Sequence, residues 1–93
     1  MREWRTFRRA MARVRDGTPQ ADVVAILGPP DAVGGRDPEA GIEFCWEYRE
    51  RLPDHVDLIV GFACGAVCCS FTRDVPDPHR RREFRALSQP YSA

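Results

Sequence analysis

The four cysteines are the side chains of this sequence best suited to bind a metal ion or to act as nucleophiles. Cys64, Cys68 and Cys69 lie close together in the chain, while Cys45 stands apart. Structural zinc sites usually combine two ligand pairs, the first spaced as Cys-x2–4-Cys. The Cys64–Cys68 spacing fits one pair, but no second pair follows, and neighbouring residues of a strand point to opposite faces. We therefore expect no metal ion and no cofactor; a zinc or redox role for Cys64 and Cys68 is the alternative.

Acid–base and nucleophilic catalysis would need further side chains around these thiols or around paired carboxylates. A cysteine nucleophile requires a base within hydrogen-bond reach, and no pattern places His55 or His79 near Cys68. Glu43 and Glu47 are four positions apart on one side of a predicted strand, with Cys45 between them, where they could form an acid–base pair. The same spacing is typical of a solvated sheet face. We therefore predict that the protein is not an enzyme and has no catalytic residues.

The overall composition is that of one small globular domain. The 93 residues are 43% hydrophobic and 30% charged, which suits a single core. Fourteen basic residues, all of them arginine, balance fourteen acidic ones, so no net charge attracts nucleic acid or an anionic membrane. The N-terminal residues contain no apolar signal-peptide core, and no apolar run is long enough to span a bilayer. We expect a cytoplasmic protein without a transmembrane segment, unless a leader has been removed.

A first helix is predicted over residues 2–15, because apolar residues recur there at intervals of three and four. These residues are Trp4, Phe7, Met11 and Val14. The arginines between them form a basic face directed to solvent. Asp16-Gly17 ends the helix, since glycine accepts the left-handed conformation of a helix C-terminus.

A second helix is predicted to begin directly afterwards. Thr18 suits the N-cap and Pro19 the first helical position, where its missing N–H costs no hydrogen bond. The apolar face of this helix comprises Val23, Ile26 and Leu27. Gly28 ends the helix, and the two prolines that follow prevent it from continuing.

Three strands are predicted next, because apolar and polar residues alternate with a period of two. They cover residues 42–48, 56–62 and 67–71. The side chains predicted to face the core are Ile42, Phe44, Trp46, Tyr48, Val56, Leu58, Val60, Phe62, Val67, Cys69 and Phe71. The outer face, predicted to be exposed, comprises Glu43, Cys45, Glu47, Arg49, Cys68, Ser70 and Thr72.

The remaining segments are a glycine-rich loop over residues 31–41, a short helix over 77–87 and a frayed tail over 89–93. Two helices followed by a three-stranded antiparallel meander predict an α+β fold. In this two-layer sandwich the helices cover one face of the sheet. A single domain is expected over residues 1–88.

The order of these motifs resembles the SmpA/OmlA (BamE-like) family of small bacterial outer-membrane lipoproteins. The first part of the resemblance is Val14-Arg15-Asp16-Gly17-Thr18-Pro19, followed by Val23 and Leu27-Gly28-Pro29-Pro30. The second part is Trp46-Glu47-Tyr48, the apolar residues 58–62, Gly65 and Val67. The same unit of helices and sheet occurs in β-lactamase inhibitor proteins. The resemblance therefore implies protein binding, as an adaptor or an inhibitor, rather than catalysis.

The sequence also departs from the family pattern. Thr18-Pro19 stands where the family usually has Met-Thr, which moves the predicted cap by one residue. The signal peptide and lipobox cysteine of the family are absent from this sequence. The implied fold is unaffected by these differences, but the outer-membrane location of the family is not expected here.

Charge is unevenly divided along the chain although it sums to zero. Residues 1–15 hold six arginines and one acidic residue, whereas residues 16–57 hold ten acidic residues and three arginines. We predict a protein partner that meets the outer sheet face and the 31–41 loop. The residues expected to contact it are Asp31, Asp37, Glu39, Glu43, Glu47 and Arg49. The alternative is a nucleic-acid or anionic-surface binder acting through the terminal helices, chiefly Arg2, Arg5, Arg9 and Arg80 to Arg82.

Overall fold

The computed structural model describes residues 3–53, 56–74 and 89–91. Two helices precede an antiparallel sheet, so the predicted α+β class is confirmed. The helices are α1 (Glu3–Met11) and α2 (Gln20–Leu27). The strands are β1 (Ala32–Gly34), β2 (Phe44–Tyr48), β3 (Val56–Ala63), β4 (Ala66–Asp74) and β5 (Gln89–Pro90). The helix predicted over residues 77–87 lies outside the described residues.

The sheet contains the predicted meander but is wider than predicted. β2, β3 and β4 pair consecutively as antiparallel neighbours. β1 adds a fourth strand beside β2, where three strands in all were expected. The two-residue β5 pairs with the other edge of β1, so the strand order is β4-β3-β2-β1-β5. The tail that was predicted to fray thus begins with a paired segment.

The segment 31–41, predicted to be a loop, contains β1 and a short 3₁₀ helix at Pro38–Ala40. The Asp37 carboxylate accepts a hydrogen bond from the Ala40 N–H at 3.4 Å, and the Asp37 main chain bridges to Ile42. The prediction of an irregular loop is wrong here because the partners of this main chain lie in β2 and at Ile42. A hydropathy pattern carries no signal for such pairing.

α1 is shorter than predicted and ends at Met11. The chain after it is held by the β3–β4 hairpin, because the Gly17 N–H donates to the Val67 carbonyl at 2.7 Å. The Val67 N–H in turn donates to the Thr18 carbonyl at 2.9 Å. Strand-like bonds of this kind require a non-helical main chain, and Gly17 has a φ of +93°. The helix therefore ends before the glycine that was expected to end it.

α2 begins one residue later than predicted. Pro19 is its cap residue, with extended φ and ψ of −62° and 151°. The Thr18 hydroxyl accepts the Arg15 N–H at 3.1 Å and so stabilises the preceding turn instead. At the other end, Gly28 stops the helix as predicted, with a φ of +85° and its N–H donating to Val24. In the described part of the chain, neither helix is long and apolar enough to cross a membrane.

The helices cover the sheet face that carries the aromatic residues of β2. Trp46 is 4% exposed and Tyr48 is fully buried, which confirms the predicted inward side of this strand. The Trp46 ring meets the Phe62 ring edge-on, with centroids 4.6 Å apart. The segment from α1 to the end of α2 contributes Phe7, Val14, Val23 and Leu27 to the core, and β3 and β4 contribute Leu58, Val60 and Val67.

A β-bulge interrupts the pairing of β3 with β4. Gly61 pairs with Cys69, whereas the next residue, Phe62, pairs with Val67. Cys68 is therefore an extra residue in β4. One extra residue moves every later side chain of that strand to the other face of the sheet.

The faces of β4 beyond the bulge are accordingly reversed from the prediction. Phe71 pairs with Ile59 on the face away from the helices and is 47% exposed. The expectation that Cys69 and Phe71 face the helix-covered core is thus wrong. Ser70 and Thr72, expected on the outer face, lie on the helix side of the sheet, where they remain exposed.

Candidate binding groove

An open groove lies between the two helices and the chain that follows β2. Its volume is about 810 Å³, which is within the range of ligand-binding clefts. α1 contributes Trp4, Thr6, Phe7 and Ala10, α2 contributes Ile26 and Leu27, and residues 50–53 form the third side. Because most of these side chains are apolar, we call this feature the apolar groove.

The groove exists because the end of α2 and the end of β2 are fixed against each other. The Tyr48 hydroxyl donates to the Gly28 carbonyl at 3.0 Å. The Tyr48 ring lies against Phe7 of α1, with centroids 5.7 Å apart. Glu50 then adopts a φ of +57°, which turns the chain after β2 and brings residues 50–53 beside the helices.

Arg51, in the side of the groove formed by residues 50–53, lies beside the aromatic rings of Phe7 and Tyr48. Its guanidinium carbon is 5.8 Å from the Phe7 ring centroid and 5.6 Å from that of Tyr48, within cation–π range. Its Nη2 is 3.1 Å from an Asp31 carboxylate oxygen. Burial raises the pKa of the Tyr48 hydroxyl, and the Arg51 charge opposes that rise. Arg51 is still 34% exposed and can be reached by a partner.

The α1 end of the groove carries two further guanidinium groups. The Arg5 and Arg8 guanidinium carbons lie 5.4 and 5.2 Å from the Trp4 ring centroid. Both arginines are exposed, and Trp4 lines the groove. Residues 3–15 contain five arginines and one acidic residue, Glu3, so basic residues are in excess at this end of the groove.

The acidic residues predicted to meet a partner are divided by the structure. Four of them are exposed, namely Asp31, Asp37, Glu39 and Glu43. Asp31 adjoins the apolar groove through its ion pair with Arg51. The Glu43 carboxylate accepts the Cys64 N–H at 3.0 Å, which ties β2 to the β3–β4 turn. Glu43 also borders a second, smaller hollow of about 410 Å³.

Glu47 and Arg49, predicted to be on an exposed sheet face, are withdrawn from solvent. Glu47 is 2% exposed, and its Oε1 accepts from Arg49 Nη2 at 2.9 Å. Arg73 Nη2 lies 3.3 Å from the same oxygen and 3.8 Å from Asp57, which is 1% exposed. The prediction of a solvated outer face is therefore wrong in this region, because both faces of the central strands are buried. Buried charges must be paired, and these four residues form such a network.

Two thiols lie on the same buried face as this network. Cys45 and Cys69 both pair with Gly61, one from each neighbouring strand. Burial, reinforced by the negative charge of Glu47, raises the pKa of the Cys45 thiol. Burial also raises the pKa of Cys69, and a hydrogen bond with the Cys68 thiol adds to the rise. A raised pKa keeps a thiol protonated, which disfavours attack by a thiolate.

The bulge also changes the relation between the neighbouring thiols of β4. Cys68 is the extra residue of the bulge, so the simple alternation from which Cys68 and Cys69 were expected to point to opposite faces does not apply at this position. Among the described residues, no group of three His, Cys, Asp or Glu side chains converges as metal ligands. The expectation of no bound metal ion stays a prediction.

The apolar groove was missed at the level of sequence because its walls come from three separate segments. Trp4 and Phe7 were assigned to the core stripe of α1, and Leu27 to the core face of α2. Only the apolar character of Leu52-Pro53, between the strands predicted over 42–48 and 56–62, could have drawn attention to the third wall.

Comparison with protein-family models gave no match, and comparison with curated protein sequences gave none either. The resemblance to SmpA/OmlA domains therefore stays a prediction from the sequence motifs.

Proposed function

We propose that the protein is a non-enzymatic protein-binding module and that the apolar groove receives a segment of its partner. The observation that supports this most strongly is the groove itself, with about 810 Å³ of open space between apolar side chains. Concave clefts of this volume with a mainly apolar lining are the usual form of a binding site. The proposed kinship with SmpA/OmlA domains implies the same role, as an adaptor or an inhibitor.

The shape and lining of the groove suit a short peptide segment. Grooves lined by helices commonly bind the apolar side of an amphipathic segment. Trp4 and Phe7 are large and rigid, and aromatic side chains of this kind provide much of the contact free energy at interfaces. The exposed acidic residues Asp37, Glu39 and Glu43 would then affect the rate of encounter more than the affinity.

A pair of tryptophan substitutions tests the groove directly. Ala10 lines the groove and is half-buried, so Ala10→Trp should fill it. Ala21 is exposed on α2 and is not part of the lining, so Ala21→Trp serves as the matched control. Peptides selected from a random library on the wild-type protein should bind Ala10→Trp about tenfold more weakly, a change of about 1.4 kcal/mol. Binding to Ala21→Trp should be unchanged.

Thermal unfolding of both variants would establish that they fold. The proposal fails if no peptide can be selected, or if the selected peptides bind the two variants equally well. In the second case the binding surface would lie elsewhere on the domain.

A second candidate function is binding of nucleic acid or an anionic surface. It is favoured by five exposed arginines in and after α1, namely Arg5, Arg8, Arg9, Arg13 and Arg15. The arginines at positions 80–82 lie outside the described residues. Phosphate contacts release counterions, so an oligonucleotide bound in this way should dissociate steeply between about 50 and about 200 mM salt. A peptide held by apolar contacts should be far less sensitive to salt.

A further inference from the structure

Resting on the proposed function, we infer that the peptide segment received by the apolar groove carries carboxylates next to its apolar side chains, and that these carboxylates lie at the Trp4 end. This end is built from the Trp4 ring and two guanidinium groups within cation–π range of it, those of Arg5 and Arg8. A segment with apolar side chains alone would leave both charges without an opposite charge in the complex.

The two ends of the groove differ in charge balance. At the Arg51 end, the guanidinium is already paired with Asp31, and the acidic Glu50 also lines the groove. At the Trp4 end, residues 3–15 supply five arginines against one acidic residue, Glu3. An added carboxylate therefore gains attraction mainly at the Trp4 end, and this difference gives the bound segment a direction.

Guanidinium groups held near an aromatic ring suit carboxylates for a further reason. The planar guanidinium has N–H groups that can donate in pairs, which matches the two oxygens of a carboxylate. The ring also limits the conformations of Arg5 and Arg8, so less entropy is lost when the ion pairs form.

The lining of the groove favours a peptide over a nucleic acid strand. Ile26, Leu27 and Leu52 offer apolar contact but no side-chain hydrogen bonds for base edges. Glu50, which also lines the groove, would repel a phosphate backbone that continued towards the Arg51 end. Single-stranded nucleic acid sites instead combine stacking surfaces with a continuous basic track.

Three synthetic peptides of equal length form the test. The first has leucine and phenylalanine followed by a pair of glutamates, the second has lysines in place of the glutamates, and the third has serines in place of the apolar residues. Fluorescence anisotropy should show the first peptide binding about tenfold more tightly than either of the others. Peptide affinities of the wild-type protein and of the two charge-reversed variants should be measured at one salt concentration.

Charge reversal on the protein then locates the carboxylates. Arg5→Glu with Arg8→Glu should weaken the glutamate peptide about tenfold and strengthen the lysine peptide. The gain with the lysine peptide shows that this variant is folded. Arg9→Glu with Arg13→Glu changes the net charge equally, but the cation–π contacts with Trp4 are made by Arg5 and Arg8, so this second variant should have a much smaller effect.

The outcomes separate this inference from the proposed function. Equal binding of the glutamate and lysine peptides, both abolished by Ala10→Trp, would overturn the inference and leave a protein-binding groove. Equal losses in the two charge-reversed variants would also overturn it, since the charge would then act at long range. If none of the peptides binds to the groove, both the proposed protein-binding function and the inferred preference for carboxylates are contradicted. Tighter binding of a single-stranded oligonucleotide, displacing the peptide, would favour nucleic acid.

Discussion

The Tyr48 hydroxyl donates a hydrogen bond to the Gly28 carbonyl at 3.0 Å and thereby joins the end of β2 to the end of α2. The Tyr48 side chain is fully buried, and its ring also packs against Phe7 of α1. One residue thus connects the sheet to both helices beside the apolar groove. Its removal should affect both the stability of the fold and the shape of the groove.

We expect Tyr48→Phe to lower the free energy of unfolding by about 1 kcal/mol. The substitution removes one hydrogen bond and keeps the aromatic ring, so packing is preserved while the Gly28 carbonyl loses its partner. Urea unfolding followed by circular dichroism measures the difference. A loss of several kcal/mol would mean that ring packing was disturbed as well.

Tyr48 should also make stability depend on alkaline pH. Burial raises the pKa of its hydroxyl well above the ordinary value of 10, although the Arg51 charge opposes the rise. The folded protein therefore keeps a proton that the unfolded chain releases above about pH 10. Stability from this group is fully present below that pH and falls as the pH rises further. The free energy of unfolding of Tyr48→Phe should decrease less above about pH 10 than that of the wild-type protein. If the two proteins lose stability equally as the pH rises, Tyr48 is not the source of the loss.

Glu47 should be among the most sensitive charged residues of the domain. Its carboxylate is buried against Arg49 and Arg73, so Glu47→Ala leaves both guanidinium groups short of a counter-charge. We expect a loss of about 3 kcal/mol or more in unfolding free energy. Glu39→Ala, at an exposed acidic position, should change stability by less than about 0.5 kcal/mol. Similar small effects for both would restore the original prediction of a solvated position for Glu47.

How far the sequence predicted the fold depends on how local each signal is. The sequence correctly predicted the end of α2 at Gly28 and the inward face of β2 at Trp46. Both signals, a helix-ending glycine and the alternation of apolar and polar residues, are properties of short segments. The burial of Glu47 was not predictable in this way, since its partner Arg73 is placed beside it only by strand register. The bulge at Cys68 has no distinct sequence signal and reverses the faces of β4.

The apolar groove, too, could not be predicted from local sequence patterns. Its walls meet because Tyr48 binds the Gly28 carbonyl, twenty positions away in the chain. Each wall, taken alone, has the pattern of an ordinary core-facing segment or turn. The basic character of α1 was predicted from its arginines, but the cation–π contacts of Arg5 and Arg8 with Trp4 required the structure.

Gly28 and Gly35 provide a test of main-chain conformation without a change in packing. An added Cβ at either position would meet no atom within 4 Å. Gly28 has a φ of +85° with a ψ of 179°, a region open almost only to glycine, whereas Gly35 has no positive φ. We expect Gly28→Ala to cost about 1–3 kcal/mol. Gly35→Ala should be neutral or stabilise by up to about 1 kcal/mol in thermal unfolding.

Equal effects of the two substitutions would contradict this account of the α2 terminus. If Gly28→Ala were neutral, the chain would have an alternative path between α2 and β1 that keeps the Tyr48 hydrogen bond. Binding of the groove peptides to Gly28→Ala would then report whether that path preserves the groove.

Gly34 is required for a different reason, namely the close approach of two side chains from β2. It lies opposite Cys45 in the β1–β2 pairing. A Cβ at Gly34 would lie 3.0 Å from a Glu47 carboxylate oxygen and would overlap the Cys45 sulfur more severely. We expect Gly34→Ala to lower the free energy of unfolding by about 1–3 kcal/mol, as is usual when a packed site receives extra atoms.

Shortening Cys45 should relieve much of this cost, because the severe overlap is with its sulfur. Cys45→Ala removes that sulfur from a half-buried position and should itself cost no more than about 1 kcal/mol. The double variant Gly34→Ala with Cys45→Ala should then be more stable than the sum of the single effects predicts, by about 1 kcal/mol. The Glu47 oxygen stays near the new methyl group, so recovery should be partial. If the unfolding free energies of the two single variants simply add in the double variant, the Cys45 thiol can move away from an added Cβ without cost. Contact with Cys45 would then not be the reason for a glycine at position 34.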